Sequence, residues 1–438
     1  MKLLIKGGRV IDPANKLDAV QDVLIKDGKI AAVGKDLGGS EAAEKAKIIN
    51  ARGKLVVPGL IDIHTHLREP GFEYKEDIAS GTRAAACGGF TSVVAMANTK
   101  PVIDTASEVT FIRERTATTG IVNVFPVGAV TKGQKGEELA EIGDMAAAGA
   151  VAVSDDGQPV QNGEVMRCAL EYAKMFKLPV ISHCEDRQLV GEGVINLGRV
   201  STVLGLRGMP AAAEEAMVAR DVLLAEMTGG HLHVTHVSTA RSVDLIRWAK
   251  GRARENGFTV TCDCTPHHLV LTEDAVERYL YDTNTKVNPP LRTAADVDAL
   301  RRGLADGTID AIATDHAPHH QDDKDVEYNY AAFGIIGLET AVGLIFSELV
   351  AKKVITAALA VEKLTAGPAR VLGLPKGTLL PGADADVTVI DPAARWTVDP
   401  GAFASKARNT PFGGWELTGR AVLTIVGGRI VAEDGRLA

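Results

Sequence analysis

The spacing of apolar and polar residues changes period twice along the chain. Over the first 55 residues short apolar runs at 3–5, 9–11, 22–25 and 30–33 alternate with turn signals such as Asp27-Gly28. Runs of that length bounded by Gly and Asp predict the hairpins of a small sheet. The tail from about Lys376 has the same character, with runs at 386–390, 421–426 and 429–431 around Gly427-Gly428. Lys6-Gly7-Gly8-Arg9-Val10-Ile11 is echoed by Val426-Gly427-Gly428-Arg429-Ile430-Val431, but glycine turns recur by chance and six residues do not establish a repeat. The simpler expectation is one β domain built from both ends of the chain around an inserted middle.

In that middle, residues 57–374, short apolar runs end in polar residues and helical stretches follow most of them. The runs are 60–66, 92–97, 122–127, 150–153, 179–183, 232–237, 259–262 and 310–314. Helical periodicity is clearest at 211–227, before Gly229-Gly230, and at 239–255, before Asn256-Gly257. Eight strands alternating with helices predict a (β/α)8 barrel, although periodicity alone does not separate it from an open doubly wound sheet. Residues 335–351, interrupted by Glu339, Ser347 and Glu348, read as a core helix rather than a membrane span. Leu3-Leu4-Ile5 between Lys2 and Lys6 is far short of a signal-peptide apolar region.

Composition agrees with this layout. A chain of 438 residues suits one large domain with a small companion, here divided as 1–56, 57–374 and 375–438. Aromatic residues are only 4% and Gly numbers 45, so Val, Ile, Leu and Ala must fill the core, which suits buried parallel strands. A net charge of −8 argues against a nucleic-acid binder with a basic surface and leaves a small anionic metabolite open as substrate. Five cysteines, at 87, 168, 184, 262 and 264, are an odd number inside apolar segments, and the expected compartment is the reducing cytoplasm.

The chemistry lies at the ends of the expected strands, where the loops of such a barrel build the site. The first gives Asp62-Ile63-His64-Thr65-His66, and strand alternation turns His64 and His66 the same way, into the barrel. The fourth ends at Asp155-Asp156-Gly157, the fifth at His183-Cys184-Glu185, the sixth at His236 and the eighth at Asp315-His316. A lone His-x-His is more often a packed or surface pair than a metal site; ligand types at four further strand ends reverse that balance. Imidazoles with carboxylates are a ligand mix that Zn²⁺ accepts, and four His with two Asp fit two metals sharing a carboxylate better than one tetrahedral ion. Spacing leaves Asp155 and Asp156 both open as the shared group. His231 and His233 fall where the sixth strand begins, and His233 has the opposite parity to His236, so they read as polar or packing histidines of the barrel floor. Cys262 and Cys264 read as structural.

Taken together these motifs resemble the dihydroorotase family of the amidohydrolase superfamily. The resemblance rests on the run from Pro58 to Gly71 (PGLIDIHTHLREPG), Ala95-Met96-Ala97-Asn98-Thr99-Lys100-Pro101, Ser154-Asp155-Asp156-Gly157, Ser182-His183-Cys184-Glu185-Asp186 and His236-Val237-Ser238-Thr239. It continues through Thr265-Pro266-His267-His268-Leu269, Val287-Asn288-Pro289-Pro290-Leu291-Arg292 and Ala313-Thr314-Asp315-His316-Ala317-Pro318-His319. It implies reversible, zinc-dependent cyclisation of N-carbamoyl-L-aspartate to L-dihydroorotate plus water, in pyrimidine biosynthesis. Two Zn²⁺ per subunit would sit on His64, His66 and Asp315 and on His183 and His236, with Asp156 bridging in place of the carboxylated lysine of many relatives. Asp315 would carry the proton between the activated water and the ring nitrogen. Substrate contacts would come from His66, Arg68, Asn98, Asn288, His319 and the Phe333-Gly334 backbone. The assemblies it allows are a homodimer and a complex with aspartate carbamoyltransferase; nucleic acid and membrane are not expected partners.

The chain departs from the family pattern after His319, where His320-Gln321-Asp322-Asp323-Lys324 follows, at Ala332 and at Phe72. The segment 316–332 is thus expected to be either a lid or a solvated loop. Two rival functions remain: another cyclic-amide hydrolase (hydantoinase, dihydropyrimidinase or allantoinase), and a non-catalytic scaffold for a carbamoyltransferase. The Asp bridge and the Arg68–Asn98 pairing speak against the first, the complete ligand set against the second.

Overall fold

The computed structural model describes residues 2–39 and 43–438. Among them, Leu60–Thr65, Phe90–Ala95 and Asn123–Pro126 form one parallel sheet, and Val153–Ser154, Val180–Ser182, His231–Val234, Thr259–Cys264 and Ala311–Ile312 another. Parallel bridges between Gly128 and Val153 and between Thr65 and His316 join the two at both edges. Eight strands thereby close into a ring, which decides for the barrel over the open sheet. Strands covered on both faces need apolar residues on both, and every residue of Leu60–Thr65 and Phe90–Ala95 is buried. Val93, Val153, Val180, Leu232 and Val234 share one core with Ile112, Met166, Leu170, Val218 and Ile246 of the surrounding helices. The two long helices run over Ala212–Thr228 and Ala240–Asn256, each closed by a glycine in the left-handed region, Gly229 and Gly257.

The stretch 335–351 departs from the core helix expected of it. Ile335 bridges to His316, and only Ala341–Leu344 is α-helical before a π-helical segment, Ile345–Val350. Gly337 shows why: a Cβ there would come within 2.8 Å of the Thr314 Cβ, so the chain passes the barrel wall as close-packed backbone rather than as a helix. Among the described residues no helix is long and apolar enough to cross a membrane.

Both ends of the chain enter one sheet of nine strands among the described residues. Leu55–Pro58 lies at its centre, parallel to Lys2–Asp12 on one side and antiparallel to Val387–Thr397 on the other. Leu3, Ile5, Val23 and Ile25 share a core with Val387, Val389, Leu423 and Ile425, so the sheet folds over on itself as a sandwich. The echoed glycine pairs are not structural equivalents. Gly7-Gly8 sits at a register shift inside Lys2–Asp12, whereas Gly427-Gly428 is a two-residue hairpin turn between Val426 and Arg429. Its real counterpart is Asp27-Gly28, the turn between Lys26 and Lys29, and the two tips touch: a Cβ on Gly428 would lie 3.0 Å from the Gly28 Cα.

Candidate metal centre

The mouth of the barrel gathers six side chains that the sequence places up to 251 residues apart, from His64 to Asp315. Asp156 stands at their centre. Its Oδ2 faces His64 Nε2 at 3.4 Å and His66 Nε2 at 3.5 Å, while its Oδ1 faces His183 Nδ1 at 3.3 Å and His236 Nε2 at 3.4 Å. Asp315 Oδ1 closes the first pair from the other side, 3.0 Å from His66 Nε2 and 3.5 Å from His64 Nε2. His236 and Asp315 hold backbone φ of 38° and 49°, a conformation L-residues rarely adopt and which recurs where a site over-determines its side chains.

This donor set fits divalent cations. Two groups, His64 with His66 and Asp156, and Asp156 with His183 and His236, each hold their ligand atoms within 4.8 Å of one another. His64 Nε2 is buried with no hydrogen-bond partner, and His183 Nδ1 faces His236 Nε2 at only 3.0 Å. Burial would push both imidazoles down, yet Asp156 and Asp315 bring His64 up to about 9, and Asp156 with Glu185 brings His183 up to about 10. The carboxylates, buried as they are, stay ionised because the histidines face them. A pocket that pulls protons so strongly onto imidazoles supplies the negative charge a cation needs.

Three of the four histidines are also held from behind. His64 Nδ1 lies 2.7 Å from Thr235 Oγ1, and His66 Nδ1 lies 2.9 Å from Asn98 Oδ1. His183 Nε2 lies 3.5 Å from Glu185 Oε2, which takes a 2.8 Å hydrogen bond from Asn288 Nδ2. Such partners fix ring orientation and tautomer. Sequence reasoning passed over Glu185 and Thr235; the signal for Glu185 was its place two residues beyond His183. Asp155 turns away: its Oδ1 accepts from Val130 N at 2.8 Å and Thr131 N at 3.1 Å. That settles geometrically which carboxylate of the pair faces the histidines. His231 and His233 stay outside the cluster, both bonded to Thr261, and Cys262 and Cys264 are buried in the core.

Of the residues expected to meet substrate, Arg68, His319 and the Phe333-Gly334 backbone lie together, while Asn98 sits against His66 and Asn288 against Glu185. Arg68, at φ 62°, donates from Nε to Pro318 O at 3.1 Å. Burial brings its guanidinium down to about 10 against the pull of Asp315 and Asp156. His319 Nε2 bonds Phe333 O at 2.8 Å; burial with Arg68, Lys75 and Lys324 nearby holds the ring neutral. Gly334 N donates to Lys286 O at 2.9 Å, and Gly334 O accepts from Lys324 Nζ at 3.0 Å and from Asn409 Nδ2 at 3.1 Å. The segment 316–332 is therefore anchored from within. Lys324 Nζ also holds Ala332 O at 2.7 Å, and Lys286 Nζ holds Tyr328 O at 2.8 Å and Asn329 O at 3.0 Å.

That anchoring has a pH signature. Burial and the neighbouring Lys286 bring Lys324 down from 10.5 to about 7. Between those values the unfolded chain holds a proton the folded chain lacks, so the penalty is fullest below the lower value and stability rises with pH above it. From pH 7 to pH 9 the Lys324 contribution is expected to be about 2 kcal/mol. Lys324→Met should remove that rise in urea-unfolding free energy; an identical pH slope in the variant would contradict it.

A closed parallel barrel with four histidines and two carboxylates at its C-terminal mouth is the architecture of a metal-dependent amidohydrolase. Residues 266–432 match a family model described as Amidohydrolase family, and residues 53–242 one described as Dihydro-orotase-like. The dihydroorotase of Pelotomaculum thermopropionicum is 60% identical over 435 residues, with 99% of each chain covered. That of Syntrophotalea carbinolica is 58% identical, covering 98% of this chain and 99% of its own. The chain belongs to the dihydroorotase family of cyclic amide hydrolases. Among solved structures, the L-hydantoinase (dihydropyrimidinase) of Arthrobacter aurescens superposes with a TM-score of 0.88 at 27% identity, covering 100% of this chain and 97% of its own. A D-hydantoinase (dihydropyrimidinase) from Thermus sp. gives 0.84 at 26%, covering 100% and 96%.

Proposed function

We propose that this chain interconverts N-carbamoyl-L-aspartate and L-dihydroorotate at the barrel mouth, using two Zn²⁺. The observation that carries the reading is Asp156, one carboxylate between two histidine pairs, in a chain 60% identical to a dihydroorotase over its whole length. His64, His66 and Asp315 would hold one ion and His183 and His236 the other, with Asp156 shared, and the ions would acidify a water and polarise the ring amide carbonyl. Asp315, ionised and 3.0 Å from His66 Nε2, accepts the proton of the attacking water. As the ring C–N bond breaks, Asp315 returns that proton to the leaving nitrogen; ring closure runs the same transfers backwards. Arg68 binds the substrate carboxylate with Asn98 Nδ2 beside it, and Asn288, His319 and the Phe333-Gly334 backbone line the rest of the pocket. The same reading makes residues 57–374 the catalytic barrel and 1–56 with 375–438 its β companion. The free cysteines suit work in the reducing cytoplasm.

A second reading, hydantoin hydrolysis, draws on the solved neighbours, which are hydantoinases. One assay separates the two. Chelator-stripped protein is expected to open dihydroorotate only after Zn²⁺ is restored, with hydantoin and allantoin turned over at least about 100-fold more slowly, as a site built for a carboxylate should discriminate. Preference for hydantoin, or no turnover of dihydroorotate with Zn²⁺ restored, would overturn the proposal.

A further inference from the structure

Beneath the histidine cluster a chain of polar groups crosses the barrel interior where apolar residues would pack more simply. Asp263, in Thr259–Cys264, is 1% exposed and makes three contacts. Its Oδ2 lies 2.8 Å from His233 Nε2 and 3.0 Å from Thr235 Oγ1, and its Oδ1 accepts from His236 N at 2.7 Å. Thr235 Oγ1 in turn lies 2.7 Å from His64 Nδ1, and His233 Nδ1 lies 2.8 Å from Thr261 Oγ1. His64, His233 and Thr235 are each no more than 2% exposed, so water does not offer these groups alternative partners.

Proton counting then fixes every direction. A carboxylate has no proton to give, so all three neighbours of Asp263 donate to it. Thr235 has one hydroxyl proton; once that points at Asp263, its oxygen can only accept from His64 Nδ1. When a cation displaces one proton of the His64 imidazolium, the proton that remains is therefore on Nδ1, and the Nε2 lone pair is freed on the side of Asp156 and Asp315. The same carboxylate holds the backbone of His236 in the φ 38° turn that aims its ring at Asp156.

We infer that Asp263 is a positioning residue for cation binding, setting the tautomer of His64 through Thr235 and the backbone turn of His236 directly. This rests on the reading that the cluster holds metal, and it adds residues that touch neither ion nor substrate. Polar residues persist in the barrel centre because an apolar core there leaves both nitrogens of His64 free to carry the proton.

Zn²⁺ affinity, read by competition with a chromophoric chelator, tests it apart from turnover. Thr235→Val, which keeps the shape and deletes the hydroxyl, is expected to weaken one of the two sites by about 10-fold or more, the scale such outer partners carry. Thr235→Ser should retain affinity within about 3-fold, since it keeps the hydroxyl that does the relaying. Asp263→Asn, near-identical in shape, offers an N–H where Thr235 needs an acceptor and should show the same loss as Thr235→Val. Parent-like affinity in either folded variant overturns the inference while the metal reading stands. Failure of the parent protein to bind Zn²⁺ overturns the metal reading and the inference with it.

Discussion

Asp156→Ala is expected to abolish dihydroorotate ring opening and to release both cations together. The two oxygens of Asp156 face different histidine pairs, at 3.4 and 3.5 Å and at 3.3 and 3.4 Å, so one substitution strips both halves of the centre. Replacing His183 removes a ligand from one half only. Without the carboxylate, four imidazoles crowd a buried space whose remaining negative charge lies on Asp315 and Glu185, and a dication there loses its shared counter-charge. After dialysis the variant should hold well under one Zn²⁺ per chain, and kcat should fall by at least about 10³-fold, since proton transfer and activation of the water depend on the same centre. Metal analysis and the ring-opening assay check the two halves of the statement. A variant keeping two Zn²⁺, or a tenth of the parent rate, would move the bridging role elsewhere.

The barrel and its histidine cluster were legible because a parallel strand buried on both faces must be almost wholly apolar, which makes Asp62 and His64 conspicuous in Leu60–Thr65 and His66 conspicuous just beyond it. Strand parity then worked for His64 and His66 but misled at His236. The sixth strand ends at Val234, and the positive φ at 236 swings the ring round, so His233 and His236 differ in role through a backbone turn rather than through alternation. Adjacent carboxylates posed a related problem. Asp155 and Asp156 are equivalent in composition, and only the path of residues 130–131, whose amides cap Asp155, tells them apart. Residues acting from behind, such as Thr235 and Asp263, left no periodic signal because their role is set by partners on other strands; Glu185 left only its spacing of two from His183. The terminal echo failed for a physical reason too: Gly-Gly serves a bulge at 7–8 and a hairpin turn at 427–428, two structures with the same need for left-handed backbone.

Arg68→Met is expected to raise KM for dihydroorotate by about 100-fold, the loss of a charge-assisted, bidentate contact in a half-buried site, while moving KM for an uncharged hydantoin by less than about 3-fold. The argument starts from the backbone. Arg68 follows the first barrel strand in a left-handed conformation, and its Nε is tied to Pro318 O, so its planar fork is oriented before substrate arrives. Burial brings the guanidinium down to about 10, which still leaves it charged at neutral pH. Asp156 and Asp315 attract it, but each already faces the histidines, and the fork's Nη2 rests 3.3 Å from His319 Nε2, a contact that a substrate carboxylate would displace. Arg68→Lys should recover only part of the loss, because an ammonium supplies the charge without the fork. Equal effects of Arg68→Met on dihydroorotate and hydantoin would mean that the residue holds the loop at Pro318 and His319 rather than reading the carboxylate.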